Sequence, residues 1–179
     1  MIVRTERLRL RPYRSGDEAQ LLEFYSDDEV CRYLLHGPWT ADDAAKAVRE
    51  RQDRKALADG ALNLVVELGE HVIGNVAAWF VNDTDHTVEL GWVFSPSYSG
   101  RGYASEAVEA LLNEVFALDR VHRATAQMDG RNTASARLAE RVGMRREAHF
   151  REDWWSKGEW TDTLVFAVLR SDRSRTSEQ

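Results

Sequence analysis

The 179 residues carry 30 acidic and 24 basic side chains, a formal net charge of −6, which argues against nucleic acid as the main ligand. Hydrophobic residues make up 43%, enough for one globular domain with a sizeable core rather than a disordered chain. Cys31 is the only cysteine, the opening MIVRTERLRLRP lacks the apolar stretch of a signal peptide, and no apolar run approaches the roughly 20 residues of a membrane helix. A cytoplasmic protein is expected, off the membrane, and the five scattered histidines offer no metal site.

Leu8, Leu10 and Pro12 alternate with Arg7, Arg9 and Arg11, the period of a half-buried strand. Ser15-Gly16-Asp17 breaks the chain and caps a predicted helix over 18–25; a second helical patch covers 29–34. Thr40 caps a long helix over about 42–58, closed by Asp59-Gly60. Residues 62–68 and 72–81 read as a hairpin about Gly69-Glu70, and a strand over 87–94 ends at Pro96. In the next helix Ala104, Ala107, Val108, Leu111, Leu112, Val115 and Phe116 form one apolar stripe. A strand over 121–128 follows, then a short helix capped by Asn132 and ended at Gly143, with Ser135, Leu138, Ala139 and Val142 on one face. Two last strands, 144–154 and 160–169, flank a turn at 156–159. The reading is one α/β domain over residues 1–170, with a polar tail, 171–179, expected to be disordered. Its mixed sheet has about seven strands flanked by about four helices, and the strand–helix–strand over 87–128 should be a parallel crossover.

The segment 88–104, VELGWVFSPSYSGRGYA, runs from an apolar strand through a glycine turn into a helix. Unpaired N–H groups and the helix dipole converge at such a helix start and favour an anion, most naturally a phosphate-bearing ligand. Gly100 and Gly102 let the backbone approach that ligand, and Arg101 adds a cation between them. The segment lacks the lysine and spacing of a P-loop and the third glycine of a dinucleotide fingerprint. On this pattern alone, a turn that merely connects strand to helix stays open.

The turn is similar to the acetyl-CoA signature of the GNAT N-acetyltransferases, Gln/Arg-x-x-Gly-x-Gly/Ala, with Gly102 and Ala104 in the last two fixed places and Ser99 where the family prefers Gln or Arg. Downstream, Asn132-x-x-Ser135-x-x-Leu138 ending at Gly143-Met144 resembles the family's Asn-x-x-Ala-x-x-Leu helix. RTERLRLRP near the start and WSKGEWTDTLVFAV near the end look like the RimJ/RimL-type branch, which contains acetyltransferases of ribosomal-protein N-termini. The resemblance spans about residues 3–169. It implies the acyl-CoA N-acyltransferase fold and acetyl-CoA as cosubstrate, with no metal. The backbone of Val93, Phe94 and Ser95 would meet the pantetheine arm. The N–H groups of Gly100, Arg101, Gly102, Tyr103, Ala104 and Ser105 would hold the pyrophosphate, and Asn132 the pantetheine or acetyl end.

Acetyl transfer to an amine needs a base, an oxyanion donor and a proton for the departing thiolate. Glu89 lies one residue off the apolar alternation Val88, Leu90, Trp92, Phe94, where partial burial would raise its pKa. The family often places a base on this strand, acting directly or through water; a salt-bridged edge glutamate is the bland alternative. The family's usual acid, a tyrosine seven residues after the asparagine, is Ala139 here; Ser135, one turn earlier on the same helical face, is the candidate donor, a role that the RimJ/RimL resemblance implies, against a serine that merely bonds its own helix. The backbone N–H of Val93 or Phe94 is the expected oxyanion donor. Tyr33, His36, Trp39 and Trp154 are candidates to line an acceptor pocket, against ordinary packing. The resulting reading is direct acetylation of a primary amine in a ternary complex. The acceptor would be a protein or peptide N-terminus, ahead of a small amine such as an aminoglycoside, polyamine or amino acid. A non-catalytic acyl-CoA-binding module and a nucleotide-dependent enzyme are the other classes weighed, and apolar C-terminal hairpins allow a homodimer.

Overall fold

This computed structural model describes residues 2–81 and 84–176. The chain opens with β1 (Val3–Arg4) and β2 (Arg9–Pro12), then three helices, α1 (Glu18–Tyr25), α2 (Asp28–Cys31) and α3 (Ala41–Arg51). β3 (Lys55–Ala56), β4 (Ala61–Leu68), β5 (His71–Phe80) and β6 (Thr87–Phe94) follow. The second half holds α4 (Tyr103–Phe116), β7 (Arg123–Asp129), α5 (Thr133–Arg141), β8 (Arg145–Ser156), β9 (Glu159–Leu169) and α6 (Arg170–Thr176).

The strands make one mixed sheet in the order β1-β2-β4-β5-β6-β7-β9-β8, with β3 hydrogen-bonded to β4 at the side. β6 and β7 pair in parallel, the crossover running through α4, and the other neighbours are antiparallel. The apolar stripe of α4 is buried with Leu138 and Ala139 of α5 against one face of the sheet, in the larger core. On the other face Leu21, Phe24 and Tyr25 of α1 and Val48 of α3 close a smaller core over Val65 and Val72. Burial on both faces explains why β4 reads as an almost continuous apolar run.

Several boundaries differ from the sequence reading, each for a local reason. The sheet has nine strands rather than about seven because two-residue strands at β1 and β3 extend it, and the described residues hold six α-helices rather than about four. α3 stops at Arg51, because the chain beyond it gives its backbone to the sheet: Asn63 N donates to Arg54 O at 2.9 Å and Lys55 pairs with Leu62. The second helical patch is a single turn, α2, capped by Asp27. The polar tail expected to be disordered is helical as far as Thr176. Arg170 donates to the carbonyls of Leu118 and Val121 at 2.6 and 2.9 Å, and Arg173 pairs with Glu109 at 2.6 Å. Residues 177–179 lie outside the described residues.

Candidate active site

The site begins where two parallel strands part. β6 and β7 pair only from Thr87↔Arg123 to Glu89↔Thr125, after which no register joins them. On its other side β6 stays paired with β5 up to Phe94↔Gly74. Ser95 N donates to Ile73 O at 2.9 Å, so by the alternation of an antiparallel ladder Val93 and Gly91 also bond toward β5. The main-chain groups of Trp92 and Phe94 then face the gap, where no strand opposes them. An extended ligand can dock there as an added strand. Of the two expected oxyanion donors, Phe94 N–H points into the gap, and Val93 N–H is committed to β5.

Glycine shapes the mouth of the gap. Gly100 and Gly102 both have left-handed backbones, φ +75° and +80°, and Gly102 caps α4. The first N–H groups of α4 are thereby left without helical partners at a cavity of about 400 Å³. Its lining takes in Val93, Phe94, Ser95, Gly100, Gly102, Tyr103, Ala104, Ser105, Asn132 and Ser135, expected from the sequence, together with Trp92, Ile73 and residues of α2. The buried hydroxyl of Ser105 has no hydrogen-bond partner, an open donor at the point where the helix dipole favours an anion. These features fit a diphosphate with a strand-like arm. Arg101 departs from expectation, since its exposed side chain is not part of the lining. Asn132 caps α5 with its side-chain oxygen, accepting from Ser135 N at 3.1 Å, and its amide N–H groups are the donors it can offer a ligand.

The two candidate catalytic side chains lie on opposite faces of the sheet. Glu89 shares a face with Val93, which packs on the smaller core, and it stands at the fork of the gap, where Gln127 Nε2 donates to its carboxylate at 3.0 Å. Partial burial pushes the Glu89 carboxyl above its usual value, against the smaller opposing effect of that hydrogen bond. The Trp79 ring adds to this dry surround. It pairs opposite Glu89 and fills the space that a Cβ on Gly91 would meet at 3.3 Å. Ser135 is on the other face. Its Oγ accepts a hydrogen bond from Trp92 Nε1 at 3.2 Å. An indole N–H can only donate, so this contact takes a lone pair of the serine oxygen and leaves its O–H to donate elsewhere.

Of the acceptor-pocket candidates, Tyr33 lines the cavity. His36 and Trp39 sit together, ring centroids 5.6 Å apart, but Trp39 stacks on Tyr25 at 3.8 Å and the pair caps the smaller core. Trp154 is 51% exposed on β8 and does not line the cavity. Lys157 ties the β8–β9 turn to α2 by donating to Cys31 O at 2.5 Å, and the Arg131 guanidinium lies 5.8 Å from the Tyr33 ring. Sequence reasoning missed Trp92 and Gln127 as site residues. Trp92 was hidden in an apolar alternation that accounted for it as core.

Among the described residues no helix is long and apolar enough to cross a membrane, and no group of three or more His, Cys, Asp or Glu side chains could hold a metal ion.

Splayed parallel strands beside a glycine turn that opens a helix are the features of an acyl-CoA-dependent transferase. The model of the acetyltransferase (GNAT) domain family matches residues 7–145, and the chain belongs to that family. It is 33% identical over 174 residues to the uncharacterized N-acetyltransferase YnaD of Bacillus subtilis, spanning 96% of this chain and 99% of that one. The crystal structure of a GNAT-family acetyltransferase from Bacillus anthracis superposes with a TM-score of 0.86 at 34% identity, over 96% of this chain and 99% of that one. A RimL ribosomal L7/L12 α-N-protein acetyltransferase in complex with coenzyme A superposes at 0.84 over 94% and 98% of the two chains; at 16% identity the likeness is of fold alone. The chain is a GNAT-type, acetyl-CoA-dependent N-acetyltransferase.

Proposed function

We propose that this enzyme acetylates the N-terminal amine of a protein or peptide by direct attack in a ternary complex. The observation that carries the reading is that Glu89 and Ser135 flank one gap from opposite faces, so amine and thioester can meet edge to edge across the sheet. The amine approaches on the Glu89 face, and the Glu89 carboxylate takes its proton directly or through one water. Phe94 N–H stabilises charge developing on the thioester oxygen. As the N–C bond forms and the C–S bond breaks, Ser135 O–H gives its proton to the departing sulfur and the serine oxygen regains one from solvent. A hydroxyl is a weak acid, so its effect comes from position, which the hydrogen bond from Trp92 supplies.

The N-terminal acceptor is favoured by the RTERLRLRP and WSKGEWTDTLVFAV segments, similar to the RimJ/RimL branch. We place the reaction in the cytoplasm, in keeping with a lone, buried, free thiol at Cys31. The test is thiol release from acetyl-CoA with peptides of free N-terminus, the same peptides blocked at the N-terminus but carrying lysine, spermidine, and an aminoglycoside. Turnover is expected with the free N-terminus alone. Turnover with spermidine or the aminoglycoside alone would replace the peptide by a small amine. Coenzyme binding without turnover on any of them would favour an acyl-CoA-binding module.

A further inference from the structure

Glu106 stands in the first turn of α4, beside the N–H groups that face the cavity. The helix dipole favours a carboxylate there, but its charge opposes a second anion at the same place. The opening segment of the chain answers that charge. Arg7 Nε and Nη2 hold Glu106 Oε2 at 2.7 and 2.6 Å, Arg7 N donates to Oε1 at 2.9 Å, and Thr5 Oγ1 donates to Oε1 at 2.5 Å. Burial works against the carboxylate charge, but these bonds outweigh it and hold Glu106 below its usual value.

The other arm of the same guanidinium reaches the glycine turn. Arg7 Nη1 donates to Arg101 O at 3.0 Å, and the guanidinium lies 4.6 Å from the centroid of the Tyr103 ring. In a trans peptide the C=O and the following N–H point opposite ways. Holding the Arg101 carbonyl on the Arg7 side therefore turns Gly102 N–H away from it. Meanwhile the hydroxyl of Ser99, where the family prefers Gln or Arg, donates to Pro96 O and is spent on its own turn.

From this geometry we propose that Arg7 is a positioning residue of the diphosphate subsite, neutralising Glu106 and fixing the peptide plane that aims Gly102 N–H. The proposal rests on the coenzyme site described above. It assigns to a residue more than ninety positions from the turn, by way of the β1–β2 segment, a cation beside the turn whose Ser99 stands where the family prefers Gln or Arg.

Calorimetric binding of coenzyme A, dephospho-coenzyme A and pantetheine tests it. Arg7→Ala is expected to raise the Kd of both coenzymes about tenfold, the scale of one charge-assisted contact, and that of pantetheine less than about twofold. Adding Glu106→Gln to Arg7→Ala is expected to recover most of the loss, since the uncompensated charge is then gone. Arg7→Lys, a milder change, keeps the charge without the fork and should fall between wild type and Arg7→Ala. An equal loss for pantetheine would make Arg7 a mere prop of the fold, and unchanged coenzyme binding or no recovery in the double variant would also overturn the proposal. A wild-type protein that binds coenzyme A no better than pantetheine would instead remove the coenzyme site on which it rests.

Discussion

The two sides of the gap between β6 and β7 are built from different materials. The side proposed for the coenzyme is mostly backbone: the open edge of Trp92 and Phe94, and the first turn of α4 behind two left-handed glycines. The side proposed for the acceptor is mostly side chain, brought together from α2, the β8–β9 turn and Arg131. Backbone sites are dictated by local patterns and suit a ligand shared by a whole family. Side-chain sites come from long-range packing and can vary without disturbing the fold.

The largest effects should come where the two sides meet. Glu89→Gln is expected to cut kcat by roughly 10²-fold or more, the usual scale for a positioned base, while coenzyme affinity stays near wild type. Because burial raises its carboxyl, kcat/KM in wild type should climb with pH through an apparent pKa above the ordinary 4.5 as the base ionises, and the variant should lack that limb. Ser135→Ala is expected to lower kcat by roughly 10- to 100-fold, a smaller effect because a hydroxyl is the weaker proton donor. Wild-type rates in both variants would break the proposed mechanism and leave the fold intact.

Next in size is a change to the coenzyme side's backbone. A Cβ on Gly74 would lie 2.6 Å from Val93 O and against the Phe94 ring. Gly74→Ala should therefore cost about 1–3 kcal/mol of stability as the strand shifts, read as a lower Tm, and weaken coenzyme A binding with it. Ser105→Ala should separate stability from affinity. It removes a buried hydroxyl that lacks a partner in the free protein, so Tm should hold or rise slightly, while the Kd for coenzyme A rises roughly threefold to tenfold. A fall in both would mean that the hydroxyl is satisfied without a ligand. The smallest effects belong to the acceptor side. Tyr33→Ala should raise the acceptor KM several-fold and leave the coenzyme Kd within about twofold, whereas Trp154→Ala, half exposed and off the lining, should change neither by more than about twofold.

The same division governs what the sequence disclosed. The glycine turn, the apolar stripe of α4 and the Asn132 cap are local, and each appears where its pattern predicts. The place of Glu89 on β6, on the face opposite Leu90 and Trp92, was legible because it lies one step off an apolar alternation. Trp92 was not, because an aromatic within an apolar strand looks the same whether its N–H is idle or holds Ser135. Trp39 and His36 read as pocket residues by composition, but the stacking surface of Tyr25, held in place by its hydrogen bond to Asn75 at 2.7 Å, drew Trp39 onto the core. Arg7 and Glu106 lie 99 positions apart, and only the sheet order brings them together.

Amide hydrogen exchange, followed first with acetyl-CoA alone and then with an acceptor peptide and coenzyme A together, tests this division most directly. Acetyl-CoA alone should slow exchange at 92–94 and 100–105 and leave 29–36 and 154–160 as in the free protein, with protection reaching 29–36 only when the peptide is added. Protection by acetyl-CoA centred outside the glycine turn and the open edge of β6 would contradict the account.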